Sequence, residues 1–182
     1  MSFVRENAHA VLQVTQHSGL LPSVMMAQAI LESGHGKSIL AAQYNNYFGE
    51  KAGSNWKGKT VNLNTQEYGN GTYYTITDQF RVYPTKYAGF AGHINFLKSL
   101  SRYDKVFRAK TAEGQARALQ SAGYATAPNY ADSLINIINK YNLKTLDKKN
   151  MEIKTINTIA AVVGLVYAIL IFYKVIYVQK LK

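Results

Sequence analysis

Two carboxylates stand apart among the ten acidic residues of this 182-residue chain. Glu32 closes an apolar run, PSVMMAQAILE, and is followed at once by Ser33, Gly34, His35 and Gly36. Glu67 lies in TQEY, just before an Asn70-Gly71 pair. On opposite walls of one cleft, such a pair suits cleavage of a glycosidic bond. One acid protonates the leaving oxygen; the other assists water or the oxocarbenium ion. A proton donor has to keep its proton near neutral pH. The C-terminal end of a buried helix favours this for Glu32, because the helix dipole there opposes an anion and low dielectric favours the neutral acid. Gly34 and Gly36 let a ligand come close to the backbone. Each carboxylate also has a plainer reading. Glu32 fits a buried side chain paired with Lys or Arg, and Glu67 fits a solvated hairpin residue.

The elements that must position them follow from periodicity. Residues 22–32 form the central helix, with Pro22 at its first turn. An amphipathic helix precedes it over about 2–17, with Phe3, Ala10, Val11 and Val14 inward and Gly19 ending it. A short helix is expected over 37–43, followed by the turn-rich aromatic loop Tyr44-Asn45-Asn46-Tyr47-Phe48-Gly49. From Thr60 the period changes to two. VNLNTQEY and TYYTITDQFRVY flank the Asn70-Gly71 turn as a hairpin, which Pro84 ends. Helical patterns resume over 86–100, 104–108, 112–121 and 129–141. The fold class is therefore mainly α, an α+β helical domain with one small hairpin lobe.

Composition narrows the classes. With 47% hydrophobic and 17% charged residues, disorder is excluded. A net charge of +11 points to an anionic partner. The basic residues are scattered rather than clustered, which argues against nucleic acid. The absence of cysteine excludes disulfides and thiolate metal sites. His9, His17 and His93 are not spaced as a metal set with Glu32, and no metal or other cofactor is implied. The first residues lack the apolar core and cleavage site of a signal peptide.

After Leu143 the composition shifts. Residues 144–154, KTLDKKNMEIK, read as a basic linker. Residues 155–173 then carry no charge for 19 positions. A membrane-spanning helix is expected over 155–178, with 179–182 as a tail. Tyr167, Tyr173, Tyr177 and the flanking lysines suit the two interfaces, and lysines at both ends leave the orientation open. The alternative is a buried C-terminal helix.

AQAILESGHGKS, NNYFG, TQEY, FRVY and GYATAPNYA occur in this order and spacing, and together resemble glycoside hydrolase family 73. That is the N-acetylglucosaminidase domain of bacterial autolysins, flagellar-rod wall hydrolases and phage lysins. The resemblance covers roughly residues 5–143, so the first domain is taken as 1–143. It implies a lysozyme-like fold that cleaves the β-1,4 bond between N-acetylglucosamine and N-acetylmuramic acid in peptidoglycan. By the same resemblance Glu32 is the catalytic acid and Glu67 the second carboxylate. Glu67 either activates water or leaves that step to the substrate's N-acetyl group. Tyr124 and Tyr130 are implied to line the glycan groove. Tyr83 matches more loosely, with core packing as its alternative. Asn46 is a further groove candidate, with turn hydrogen bonds as its alternative. The sequence departs from the family at His35, where Trp is usual, and at Ala127, where an acid is common. His35 could stack on a sugar or titrate near neutral pH.

These observations lead to a membrane-anchored peptidoglycan hydrolase, with glycan strands and a lipid bilayer as partners and its catalytic domain facing the wall. A lytic transglycosylase using Glu32 as acid and base is one alternative. A non-catalytic wall-binding module is another. A wall substrate without an export signal fits a bacteriophage protein, seated in a virion or host membrane and acting at entry or lysis. It also fits a bacterial protein whose late helix inserts with the N-terminal domain translocated.

Overall fold

The structure, a computed structural model, describes residues 2–69 and 72–180, without the side chains of 66–69, 73–74 and 172–180. It divides into two compact units, Met1–Asp147 and Lys148–Lys182.

In the first unit, α1 (Ser2–Thr15), α2 (Pro22–Ser33) and α3 (Ile39–Tyr44) come before the hairpin of β1 (Thr60–Gly69) and β2 (Thr72–Arg81). Then follow α4 (Lys86–Lys98), a 3₁₀ turn at Ser101–Tyr103, α5 (Asp104–Arg108), α6 (Ala112–Ser121) and α7 (Tyr130–Lys140). The last helix, α8, runs Lys144–Lys180. The mainly helical class with one small sheet is as the periodicity predicts.

α2 is the centre of the unit and touches α1, α6 and α7. Val24, Met25, Met26, Ala27, Gln28, Ala29 and Ile30 are all buried on it. A helix apolar on nearly every face is stable only when surrounded. Leu20, Phe90, Leu97, Leu119, Leu134 and Ile138 close the core around it. No side chain of its own N-cap residue, Leu21, caps it. Instead Asp147, in the first turn of α8, accepts the Ser23 N–H at 2.9 Å. A carboxylate there satisfies an orphan donor and faces the positive end of the helix dipole.

Local caps set the other helix starts. Ser38, Thr85 and Thr111 each accept a backbone N–H three residues on. The helix expected from 37 therefore begins only at Ile39. The loop after α3 is pinned against α4 at Gly89. Its backbone lies so close that an added Cβ would meet the Asn45 carbonyl oxygen at 2.0 Å.

β1 and β2 are antiparallel, in register from Thr60↔Arg81 to Gly69↔Thr72. Residues 70 and 71 join them; the predicted Asn70-Gly71 turn lies outside the described residues. An isolated hairpin is marginal in water. This one is held at its base, where Phe80 is buried and Ala52 and Arg81 exchange backbone bonds with Gln79 and Glu50.

The second unit is the remainder of α8. Ile156, Val163, Leu165 and Tyr167 are all more than half exposed on it. The stretch Lys144–Ile171 is long and apolar enough to cross a membrane, with a mean hydropathy of 1.8 over its most apolar window.

Candidate active site

α2 stops at Ser33 because Gly34 turns left-handed, with φ of 57°. The His35 N–H bonds back to the Ile30 carbonyl at 3.0 Å, as in a Schellman closure. Ser33 is buried; it donates to the Ala29 carbonyl and accepts the Gly36 N–H. Glu32, one position earlier, is left exposed on the outer face.

The Tyr130 hydroxyl, from the first turn of α7, donates to Glu32 Oε1 at 2.8 Å. Among the described residues no Lys or Arg pairs with this carboxyl, so the buried ion-pair reading does not hold. Its pKa is raised above the ordinary carboxylate value. Burial is the main cause, partly offset by the Tyr130 hydrogen bond and the field of His93. Exposure and a desolvated carboxyl are compatible. The tip meets water while protein on the other sides weakens its hydration.

Behind Glu32 a chain of buried polar side chains runs into the core. Gln28 Nε2 donates to the Tyr130 oxygen at 3.2 Å. Gln28 Oε1 lies 3.4 Å from His93 Nε2, and His93 Nδ1 lies 2.9 Å from Glu50 Oε1. Glu50 Oε2 accepts the Tyr83 hydroxyl at 2.5 Å and Arg81 Nη1 at 3.2 Å. Gln28 and His93 are fully buried, and Glu50 is 6% exposed. Burial alone would raise the Glu50 pKa, but His93, Tyr83 and Arg81 together hold it below the usual value. The His93 ring is stacked on Phe48 at 3.6 Å between centroids and met edge-on by Tyr124. Tyr124 in turn stacks on Tyr130 at 5.4 Å.

The structure thus brings Glu32, Tyr124 and Tyr130 together, with Tyr124 half-buried and Tyr130 only 4% exposed, so that Tyr130 reaches Glu32 by its hydroxyl rather than lining a groove with its ring. Asn46 and Tyr83 also lie in the core. Asn46 is 1% exposed and clamps the loop through the Glu50 N–H and the Glu50 and Arg81 carbonyls. Tyr83 is 5% exposed, packs edge-on to Trp56 and gives its hydroxyl to Glu50. In both, the packing and turn reading is the one realised. His35 adopts a left-handed φ of 61° and bonds the Tyr141 hydroxyl at 2.7 Å. Glu67 belongs to β1, paired with Tyr74 near the hairpin end; its side chain lies outside the described residues. Among the described residues no group of three His, Asp or Glu side chains gathers to hold a metal.

Gln28, His93, Glu50 and Arg81 escape sequence reasoning as site components. The one local signal is Gln28, a lone amide in an otherwise apolar helix. Two cavities also open in this unit. One of about 510 Å³ lies among α1, α3 and the His35 loop, and one of about 410 Å³ is lined by Trp56, Arg81, Asn95 and Phe96. Glu32 lines neither.

Residues 8–143 match the Glucosaminidase family, described as mannosyl-glycoprotein endo-beta-N-acetylglucosaminidase. The chain is 40% identical over 148 residues to exo-glucosaminidase LytG of Bacillus subtilis, covering 79% of this chain and 52% of the relative. It is 38% identical over 139 residues to peptidoglycan hydrolase FlgJ of Escherichia coli K12, covering 74% and 44%. The catalytic domain of the autolysin Auto from Listeria monocytogenes superposes with a TM-score of 0.73 at 33% identity, covering 80% of this chain and 86% of that one. The chain spans about half the length, or less, of the curated relatives it matches.

Proposed function

The chain belongs to the glucosaminidase family, glycoside hydrolase family 73, and from that premise we propose that it hydrolyses the glycan strands of peptidoglycan. The bond cleaved is the β-1,4 linkage between N-acetylglucosamine and N-acetylmuramic acid. Glu32 is the proton donor. Its proton passes to the bridging oxygen as the bond from that oxygen to the anomeric carbon breaks. Water then adds to the anomeric carbon. The water's proton goes to Glu67, or the substrate's N-acetyl oxygen attacks first and water opens the ring it forms. Tyr130, buried at 4% exposure, meets the acid through its hydroxyl, and the half-buried Tyr124 stacked on it keeps an aromatic edge at the site.

The observation that carries this reading is the state of Glu32: exposed, hydrogen-bonded by a neutral hydroxyl, without a cation beside it and with a raised pKa. A carboxyl in this setting holds a proton to higher pH than a free one and has a route to deliver it.

The test is product analysis with the full chain in detergent. Peptidoglycan fragments should end in reducing N-acetylglucosamine, and Glu32→Gln should slow release by roughly 10²–10⁴-fold. Anhydro-muramyl ends would identify a lytic transglycosylase instead. Release by Glu32→Gln at the wild-type rate would overturn the assignment.

The exposed apolar length of α8 supports a second element of the proposal: residues 155–178 anchor the enzyme in a bilayer that faces the wall. The net charge of +11 favours approach to that anionic polymer. We read the carrier as a bacteriophage, in whose virion membrane or host membrane the anchor sits. Retention in the membrane pellet after alkaline carbonate washing checks the anchor. Detection in purified virions checks the carrier.

A further inference from the structure

We infer that Glu50 and His93 are positioning residues that govern, through Gln28 and Tyr130, whether Glu32 carries its proton. The inference rests on the reading of Glu32 as proton donor.

Hydrogen-bond direction links the two ends. Glu50 faces three donors: His93 Nδ1 at 2.9 Å, the Tyr83 hydroxyl at 2.5 Å and Arg81 Nη1 at 3.2 Å. A carboxylate met by three donors stays ionised. It requires a hydrogen on His93 Nδ1. The opposite ring nitrogen faces the amide oxygen of Gln28 at 3.4 Å, which is also an acceptor. In this setting every donor points toward Glu32. His93 Nε2–H donates to the Gln28 oxygen, Gln28 N–H donates to the Tyr130 oxygen, and Tyr130 O–H donates to Glu32. Histidine then holds two ring protons and Glu32 is a carboxylate.

The reverse setting is equally complete. With the Gln28 amide turned over, its N–H donates to a bare His93 Nε2 and its oxygen accepts the Tyr130 proton. The Tyr130 oxygen then accepts from a protonated Glu32. Both settings hold the same number of protons; one is on His93 in the first and on Glu32 in the second. No buried polar atom is left unpaired in either. With His93 doubly protonated, a protonated Glu32 meets the Tyr130 O–H only through its neutral carbonyl oxygen, a weaker acceptor than a carboxylate, so the two ends are coupled.

The coupling has a sense. Glu50 fixes a hydrogen on His93 Nδ1, and the field of His93 favours ionised Glu32. Burial pulls Glu32 the other way. The pair therefore sets how far burial can raise the acid, which keeps it able to give up its proton and regain it within a cycle. Arg81 and Tyr83 meet Glu50, Tyr124 meets His93 and Tyr130, Tyr103 meets Tyr124, and Phe48 and Phe96 cover the imidazole. Packing alone would be served by apolar residues, since burying an ionised carboxylate and an imidazole costs hydration.

The experiment follows the Glu32 carboxyl directly, by carbon-13 NMR of the glutamate-labelled full chain in detergent micelles. Wild type, Glu50→Gln and His93→Gln are titrated in parallel with the pH profile of glycan release. His93→Gln leaves Arg81 and Tyr83 on Glu50 and keeps the test available if Glu50→Gln does not fold. The Glu32 midpoint should rise by about one pH unit in each variant, and the alkaline limb of activity should move with it. Variants slower at every pH, with midpoint and limb unmoved, would make the network purely structural and overturn the inference. If Glu32→Gln proves fully active, the proton-donor reading falls, while the carboxyl midpoints still decide the coupling.

Discussion

Tyr130 and Glu32 are 98 positions apart in the chain, and the hydroxyl of one sits 2.8 Å from the carboxyl of the other. α7 supplies the donor and α2 the acid, so their packing sets the electrostatics of the site. The same hydroxyl accepts from Gln28, which ties the surface acid to the core. Tyr130, only 4% exposed, therefore acts on the site through its hydroxyl.

Removing that hydroxyl should be felt twice. In Tyr130→Phe the ionised form of Glu32 loses a donor, so its pKa rises and the alkaline limb of activity moves to higher pH by about one unit. Gln28 also loses its acceptor inside the core, which should lower unfolding free energy by about 1–3 kcal/mol. Urea denaturation and a pH–rate profile measure the two effects separately.

Glu32 should cost the protein stability. Its folded pKa lies above the unfolded one, so the ionised group disfavours folding at pH above the folded value. Below the unfolded value the group is protonated in both states and the cost vanishes. Glu32→Gln should therefore melt higher than wild type at neutral pH, and the difference should close below about pH 4. Calorimetry at several pH values tests this.

Glu50 should behave in the opposite sense. Its folded pKa is depressed, so it contributes stability above the unfolded carboxylate value and loses it as pH falls through the folded one. Between about pH 5 and 3 wild type should lose melting temperature more steeply than Glu50→Gln. Parallel slopes would show that His93, Tyr83 and Arg81 do not favour the ionised form.

Gln115 should prove a structural clamp. Fully buried on α6, it accepts the Leu21 N–H and donates to the Gly19 and Ala109 carbonyls. It holds the segment that launches α2. Gln115→Leu strands three backbone groups and should lower stability by about 3 kcal/mol or more, read by denaturant midpoint.

Much of the scaffold is legible along the chain because its signals are local. Pro22 and the mostly apolar run mark α2, and the change to a period of two marks the hairpin. Glu32 is legible for the same reason, as a carboxylate between a buried helix and two glycines. Asn46 and Tyr83 show the limit. An aromatic or amide in a motif reads alike whether it lines a groove or a core, and only burial separates the two.

By itself the sequence determined the order of elements, the helix that must be surrounded, the acid at its end and an apolar terminal stretch of membrane-spanning length. Those depend on neighbours within a turn or two, or on composition. Which groups control that acid was decided by tertiary structure alone. Gln28, His93, Glu50 and Tyr130 come from α2, α4, the loop before β1 and α7. No spacing within one segment encodes their meeting. It arises because burying α2 on all sides leaves its single amide nowhere to bond except to the polar side chains that its neighbours bring.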